Sequence, residues 1–347
     1  MIIMFDMNKI PVLYDGDMGG DDLWAIAMLL AHSDRFDLRA IATVFGNVSQ
    51  PHATQNVLDF LHWLGRDDVE VVQGMDKPCD GMRPFGDDAY GADGVGGVVL
   101  PLSPRSIAQV DIADWYRTQL DAQKEKTTVF ATGPATNLAL FLQKYPIYRQ
   151  KIDQIIFMAG GLNPPGKNGA RVALENGEQR VGNITPYAEF NAYQDPKALN
   201  ILLESGVKCT FMAMDATQNL VLTPARQETI QSIDHLYAPD FHRMLMAVAE
   251  LDQTKFGVDG PFIHDPHVIT YALNPDLYKA APIPELHFHE ARPEDERRGQ
   301  AVIAQGKKSN AQWLYGITDP DVVFILMEQS LRTTIARARE NRARLAE

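Results

Sequence analysis

Short apolar runs alternate with amphipathic stretches along most of the 347-residue chain. This rhythm predicts βα units on a largely parallel sheet. Runs bounded by turn residues place strands at 10–15, 38–45, 69–72, 127–131, 152–158 and 207–213. Helical periodicity over 21–33, 51–64, 106–124, 134–144, 195–204, 224–235, 239–252 and 266–273, and from about 319 onward, fills the intervals. The class that follows is α/β: a Rossmann-like open sheet, mostly parallel and flanked by helices. No internal repeat or composition break divides the chain, so 1–347 reads as one domain.

Three stretches interrupt the rhythm. Cys79 to Pro104 is rich in Gly, Asp and Pro and reads as a long ordered loop, of the kind that is often functional. Residues 162–182 contain Pro164-Pro-Gly-Lys-Asn-Gly169 and read as a flexible loop insertion. Residues 331–347 carry arginines at 332, 337, 339, 342 and 344, the pattern of a basic C-terminal helix with a solvated face or a subunit contact.

The first predicted strand runs into Asp15-Gly-Asp-Met-Gly-Gly-Asp-Asp22, which puts four carboxylates within eight residues just before a helix with Leu23, Ile26, Ala27 and Leu30 on one face. Acids so close repel one another wherever water is partly excluded, so the segment calls for a positive partner. The carboxyl edge of an open α/β sheet is where such folds bind ligands. Oxygen ligands without nearby Cys or His suit Ca²⁺ or Mg²⁺ better than zinc, and the loop is too short for an EF-hand. The plainer reading is that Asp21 and Asp22 cap the helix while Asp15 and Asp17 are solvated.

Charge narrows the partners. A formal net charge of -13 argues against nucleic acid or an anionic membrane and favours a small-molecule substrate. Cys79 and Cys209 make no disulfide framework and no metal spacing, which suits a reducing cytoplasm. Met1–Asn8 has neither the basic nor the long apolar part of a secretory signal, and no later run is long enough to span a bilayer.

Polar groups follow the other predicted strands: Gly46-Asn47, then Thr132-Gly-Pro-Ala-Thr-Asn137, Gly182-Asn-Ile-Thr-Pro-Tyr-Ala-Glu-Phe-Asn191 and His264-Asp265-Pro266. Each alone has a structural explanation as a turn, a helix opening or an N-cap. In this order, after the acid-rich turn, they resemble the nucleoside hydrolase family, the inosine-uridine preferring nucleoside N-ribohydrolases, from about Val12 to Val268.

The resemblance implies the nucleoside hydrolase fold and calcium-dependent hydrolysis of a ribonucleoside to ribose and free base. It makes Asp17, Asp22 and Asp265 the carboxylate ligands of Ca²⁺, with the carbonyl of Thr132. About four protein oxygens leave room for a water and two ribose hydroxyls. Asp21 would accept from the 2′-hydroxyl, Asn191 would hold the 3′-hydroxyl, and Asn183 with Glu189 the 5′-hydroxyl. Asn47 would steady the acids, and Met158, Phe190 and Tyr90 complete the substrate-binding set. Asp17 is the expected general base toward the attacking water, and His264 the acid toward the departing base. A homodimer or homotetramer is the implied assembly.

Two features depart from the family pattern. Tyr90-Gly-Ala-Asp-Gly94 stands where many members carry a base-side histidine; tyrosine stacks well but is a poor proton donor at neutral pH. The stretch Leu162–Arg180 stands where relatives make a short turn, and reads equally as a lid or as a surface excursion. His287-Phe-His289 has the spacing of an exposed strand, and the aromatics of Tyr237–Phe256 read as a gate over the base or as core. Two rivals have a sequence basis: a haloacid-dehalogenase-like phosphatase with Asp15 as nucleophile, and a calcium-dependent nucleoside- or ribose-binding protein with altered catalysis.

Overall fold

The computed structural model describes residues 9–82, 89–107, 109–163, 172–306 and 309–346. The strands are β1 (Ile10–Gly16), β2 (Phe36–Thr43), β3 (Glu70–Gln73), β4 (Thr127–Ala131), β5 (Ile152–Met158), β6 (Cys209–Met212), β7 (Tyr278–Ile283), β8 (Leu286–Phe288), β9 (Ala301–Ile303) and β10 (Ala311–Ile317). Eight of them form one sheet in the order β3-β2-β1-β4-β5-β6-β10-β7, in which only β7 runs antiparallel. β8 and β9 pair separately.

The chain steps outward from β1 through β2 to β3, then returns to β4 on the other side of β1. That reversal opens a crevice at the carboxyl ends of β1 and β4, the topological switch point where doubly wound folds bind ligands. The acid-rich turn and Thr132 both emerge there.

The helices are α1 (Gly20–Ala31), α2 (Gln50–Trp63), α3 (Ile112–Asp121), α4 (Thr136–Lys144), α5 (Phe190–Gln194), α6 (Pro196–Ser205), α7 (Met214–Thr217), α8 (Pro224–Gln231), α9 (Ala238–Met246), α10 (Ala249–Phe256), α11 (Pro266–Leu273) and α12 (Pro320–Ala346). They cover both faces of the sheet. Val12 and Tyr14 of β1 point into the core shared with α1, α2, α9, α11 and α12, while Leu13 points into the core shared with α3, α4 and α6. Period-two alternation therefore sends Asp15 toward the α3–α4 side.

Several predicted boundaries move. The helix read over 106–124 begins only at Ile112, because the Asp111 carboxylate caps it by accepting from the Asp114 amide at 2.9 Å. The helix read over 239–252 is two helices, broken at Ala247–Val248. β7 and β9 were not foreseen, whereas β8 overlaps the strand spacing of His287-Phe-His289; β7 is an edge strand with exposed positions and two non-strand formers, Ala and Pro.

The tail is less solvated than its arginines suggest. Leu331, Ile335 and Ala338 are buried, Thr334 donates to the Ala27 carbonyl, and Arg337 donates to the Leu30 carbonyl at 2.6 Å. Arg332 and Arg339 pair with Glu328 and Asp234. Of the 162–182 stretch, Val172–Gly182 includes a turn in which Ala173 bridges Gln179, and 164–171 lie outside the described residues. In the Cys79–Pro104 loop the same holds for 83–88, and Met1–Asn8 are likewise outside. No described helix is long and apolar enough to cross a membrane.

Candidate active site

β1 ends at Gly16 and leads Asp17 to the crevice, and the chain then turns at Met18, whose φ of 58° is left-handed, before α1 starts. Gly16 is required by close packing: a Cβ there would lie 2.4 Å from Asp22 Oδ1 and 2.6 Å from Thr132 Oγ1. Gly46 is required likewise, since its Cβ would sit 1.9 Å from Asp17 Oδ2. The turn is closed by the Gly19 amide donating to Asp22 Oδ2 at 2.8 Å.

Asp17 is fully buried, and Asn47 donates to both of its oxygens, from the backbone at 2.7 Å and from the side chain at 3.1 Å. Asp22 is also fully buried and accepts from the Thr132 hydroxyl at 2.6 Å. Asp21, Asp22 and Asp265 bring one oxygen each to within 4.8 Å of one another, and among the described residues they are the group able to hold a metal ion, so the geometry gathers Asp21, expected at the 2′-hydroxyl, where the resemblance had placed Asp17. Asp17 stands beside Asp22, whose charge adds to burial in raising it.

Burial, reinforced by the charges of the neighbouring acids, pushes Asp17 and Asp265 well above the usual carboxylate range and Asp22 up to about 7. A bound divalent cation reverses that balance by favouring the ionised forms. The donor set of hard oxygens is chemically suited to such an ion.

A cavity of about 500 Å³ opens against these acids. Asp21, Asn47, Tyr90, Thr132, Met158, Asn183, Glu189, Phe190, Asn191, His264 and Asp265, all singled out from the sequence, line it. Asp17 and Asp22 lie behind that wall. Asn191 donates from Nδ2 to the carbonyls of Thr132 at 2.7 Å and Met158 at 2.9 Å. Its Oδ1, like Asp21 Oδ1, is buried without a hydrogen-bond partner among the described residues.

Glu189 has a structural task as well. It caps α5, accepting from the amides of Gly160, Asn191 and Ala192 at 2.8 to 3.0 Å, and burial raises its carboxyl to about 7. Asn183 accepts the Phe190 amide at its Oδ1 and the Lys255 ammonium at its carbonyl. The Tyr90 hydroxyl faces Asp21, and burial together with that charge holds the phenol far above its ordinary value. Tyr90 thus lies on the cavity wall with its hydroxyl toward Asp21. His264, its imidazole lowered by burial, keeps Nδ1 at 2.8 Å from the Thr217 hydroxyl.

Asp15 does not join the cavity. It accepts from Tyr116 and from Asn137 Nδ2 on the far side of the sheet, and burial raises it to about 7. That placement removes the phosphatase nucleophile. The stretch read as an aromatic gate does reach the cavity, but through side chains not singled out from the sequence: α10 contributes Glu250, Leu251, Asp252, Thr254 and Lys255. The aromatics of Tyr237–Phe256 are core, with Tyr237 packed on Trp63, Phe241 on Phe60 and Phe256 on Phe262.

Comparison with known proteins agrees with this geometry. The family model for inosine-uridine preferring nucleoside hydrolase matches residues 12–324. An uncharacterized protein of Schizosaccharomyces pombe, C1683.06c, is 30% identical over 90% of this chain and 93% of its own length. A pyrimidine-specific ribonucleoside hydrolase, RihA of Citrobacter koseri, is 32% identical over 78% and 81%. Among solved structures, a plant nucleoside hydrolase, PpNRh1, superposes with a TM-score of 0.81 at 24% identity, covering 93% of this chain and 99% of that one. The purine-preferring ribonucleoside hydrolase of Gardnerella vaginalis gives 0.80 at 24% identity, covering 94% and 99%. With a switch-point crevice, a buried acid cluster and a family match over nearly its whole length, the chain belongs to the inosine-uridine preferring nucleoside hydrolase family and is a nucleoside N-ribohydrolase.

Proposed function

We propose that the protein hydrolyses the N-glycosidic bond of ribonucleosides with Ca²⁺ as its cofactor. The observation that carries this reading is the pair of orphaned acceptors: among the described residues, Asp21 Oδ1 and Asn191 Oδ1 are buried, unpartnered and belong to residues on the wall of one cavity, where Asp21 clusters with Asp22 and Asp265. An unpaired buried acceptor costs about 1 to 3 kcal/mol, which hydroxyl donors of a ribose would recover.

Asp17, Asp22 and Asp265, with the Thr132 carbonyl, are the residues that would hold the cation. When bound, it would supply Lewis-acid polarisation of water and of the sugar hydroxyls. Asp21 and Asn191 orient the ribose through its 2′- and 3′-hydroxyls, and Asn183 with Glu189 receives the 5′-hydroxyl. Phe190, Met158 and Tyr90 confine the substrate. Asp17, steadied by Asn47, takes the proton of the water that attacks C1′. The surrounding carboxylates stabilise the positive charge that develops on the sugar, and no carboxylate nucleophile is required. His264 donates to the departing base.

The same reading takes the protein as a cytoplasmic homodimer or homotetramer. Incubation with inosine, uridine, cytidine and adenosine, with free base read by chromatography, tests the activity. Release of base that requires added Ca²⁺ after chelation is expected; no release from any of the four would overturn the proposal.

A further inference from the structure

Thr217 ends α7, is fully buried and does not line the cavity. Among the described residues its hydroxyl has one hydrogen-bond partner, His264 Nδ1 at 2.8 Å. A buried hydroxyl carries one proton and needs an acceptor for it. Nδ1 can serve only when it bears no hydrogen, and a neutral imidazole unprotonated at Nδ1 carries its hydrogen on Nε2. With Nδ1 turned to Thr217 behind the wall, the opposite edge of the ring is the one His264 offers to the cavity.

We propose that Thr217 is a positioning residue that fixes His264 as the neutral Nε2–H tautomer, so that the ring presents a hydrogen-bond donor to an acceptor atom of the leaving base. This deepens the proposed hydrolysis and rests on it. As the bond from C1′ to the base nitrogen breaks, its electron pair passes to the base. The hydroxide part of the attacking water bonds to C1′ and its proton goes to Asp17. The Nε2–H group stabilises the charge on the departing base by hydrogen bonding, and the base then takes one proton from solvent while Asp17 returns its own.

This assignment differs from an imidazolium acid. An imidazolium would carry hydrogen on both ring nitrogens and leave the Thr217 proton without an acceptor. It also differs from a purely structural contact, because the hydroxyl decides which nitrogen faces the substrate. Tyr90, turned toward Asp21, leaves the donor role to the His264–Thr217 pair.

Two measurements test the proposal. Long-range proton–nitrogen NMR correlation on unmodified, ¹⁵N-histidine-labelled enzyme should assign His264 as protonated at Nε2 alone; hydrogen on Nδ1, alone or on both nitrogens, overturns it. In kinetics, Thr217→Val should lower kcat for ribonucleosides by roughly ten- to a hundredfold with KM within about threefold. The loss on p-nitrophenyl riboside, whose leaving group needs no donor, should be at least about tenfold smaller. Thr217→Ser should restore the ribonucleoside rate. Equal losses on both substrates, or no loss, would overturn the assignment. An unmodified enzyme inactive on every ribonucleoside would instead refute the proposed function, and the NMR result would still decide the tautomer.

Discussion

Asn47 grips both oxygens of Asp17, one from its backbone amide and one from its side chain. The carboxylate assigned as general base is thereby fixed in orientation by a residue from the next strand's loop. Asp17→Asn should lower kcat by at least about a hundredfold, the lower range for loss of a positioned base. Asn47→Ala, which keeps the backbone donor, should lose roughly tenfold. Steady-state kinetics on the preferred nucleoside, with circular dichroism to confirm the fold, checks both; normal turnover in folded Asp17→Asn contradicts the role.

Removing the cation should cost stability as well as activity, because Asp17, Asp22 and Asp265 are buried and repel one another. Adding Ca²⁺ at about 100 times its dissociation constant should stabilise the folded protein by about 2.7 kcal/mol. Thermal unfolding after chelation, with and without added Ca²⁺, reads this directly. A Tm that does not respond argues against a cation among these acids.

Ribose selectivity follows from the unpartnered Oδ1 atoms of Asp21 and Asn191. A 2′-deoxynucleoside leaves Asp21 without its donor, so kcat/KM should fall at least about a hundredfold relative to the ribonucleoside. Comparable values for uridine and 2′-deoxyuridine would show that the sugar is not held in this way.

Asp252 gives stability a pH dependence. It is buried on α10, accepts the Phe262 amide at 2.9 Å, and burial raises its carboxyl from 3.8 to about 7. A group raised on folding binds protons more tightly in the folded state, so its contribution is complete below pH 3.8 and declines until pH passes about 7. Asp252→Asn keeps an acceptor for Phe262 without the titration. Relative to this variant, the unmodified protein should lose up to about 4 kcal/mol between pH 4 and pH 8, at about 1.4 kcal/mol per unit. Urea titrations at both pH values measure the difference, and parallel pH profiles would exclude Asp252 as the source.

The acids, amides and histidine of the site were legible because each sits beside a strand end or helix start with a strong local signature. Asp17, Thr132 and Asp265 follow apolar runs or precede Pro, and the fold converges such positions at one sheet edge. The resemblance put Asp17 and not Asp15 in the site, whereas local pattern alone could not separate them, because which carboxylate enters the crevice depends on where β1 stops pairing, at Gly16. The polar side of α10 was illegible for another reason. A helix whose polar side faces a cavity has the same residue pattern as one whose polar side faces water. Thr217 gave no signal, since a four-residue helix cannot display a period of 3.6, and its partner lies 47 residues away.

α1 joins two distant parts of the molecule into one lever. Its first turn holds Asp21 and Asp22, and its last turns are pinned by Thr334 and Arg337 of α12 through the carbonyls of Ala27 and Leu30. Twelve helical residues span about 18 Å, and a packed helix passes displacement along its axis with little bending. Trimming the chain before Thr334 would therefore release the rear of that lever and let the carboxylates at its front drift, so a C-terminal deletion far from the substrate should present as a loss of cation affinity.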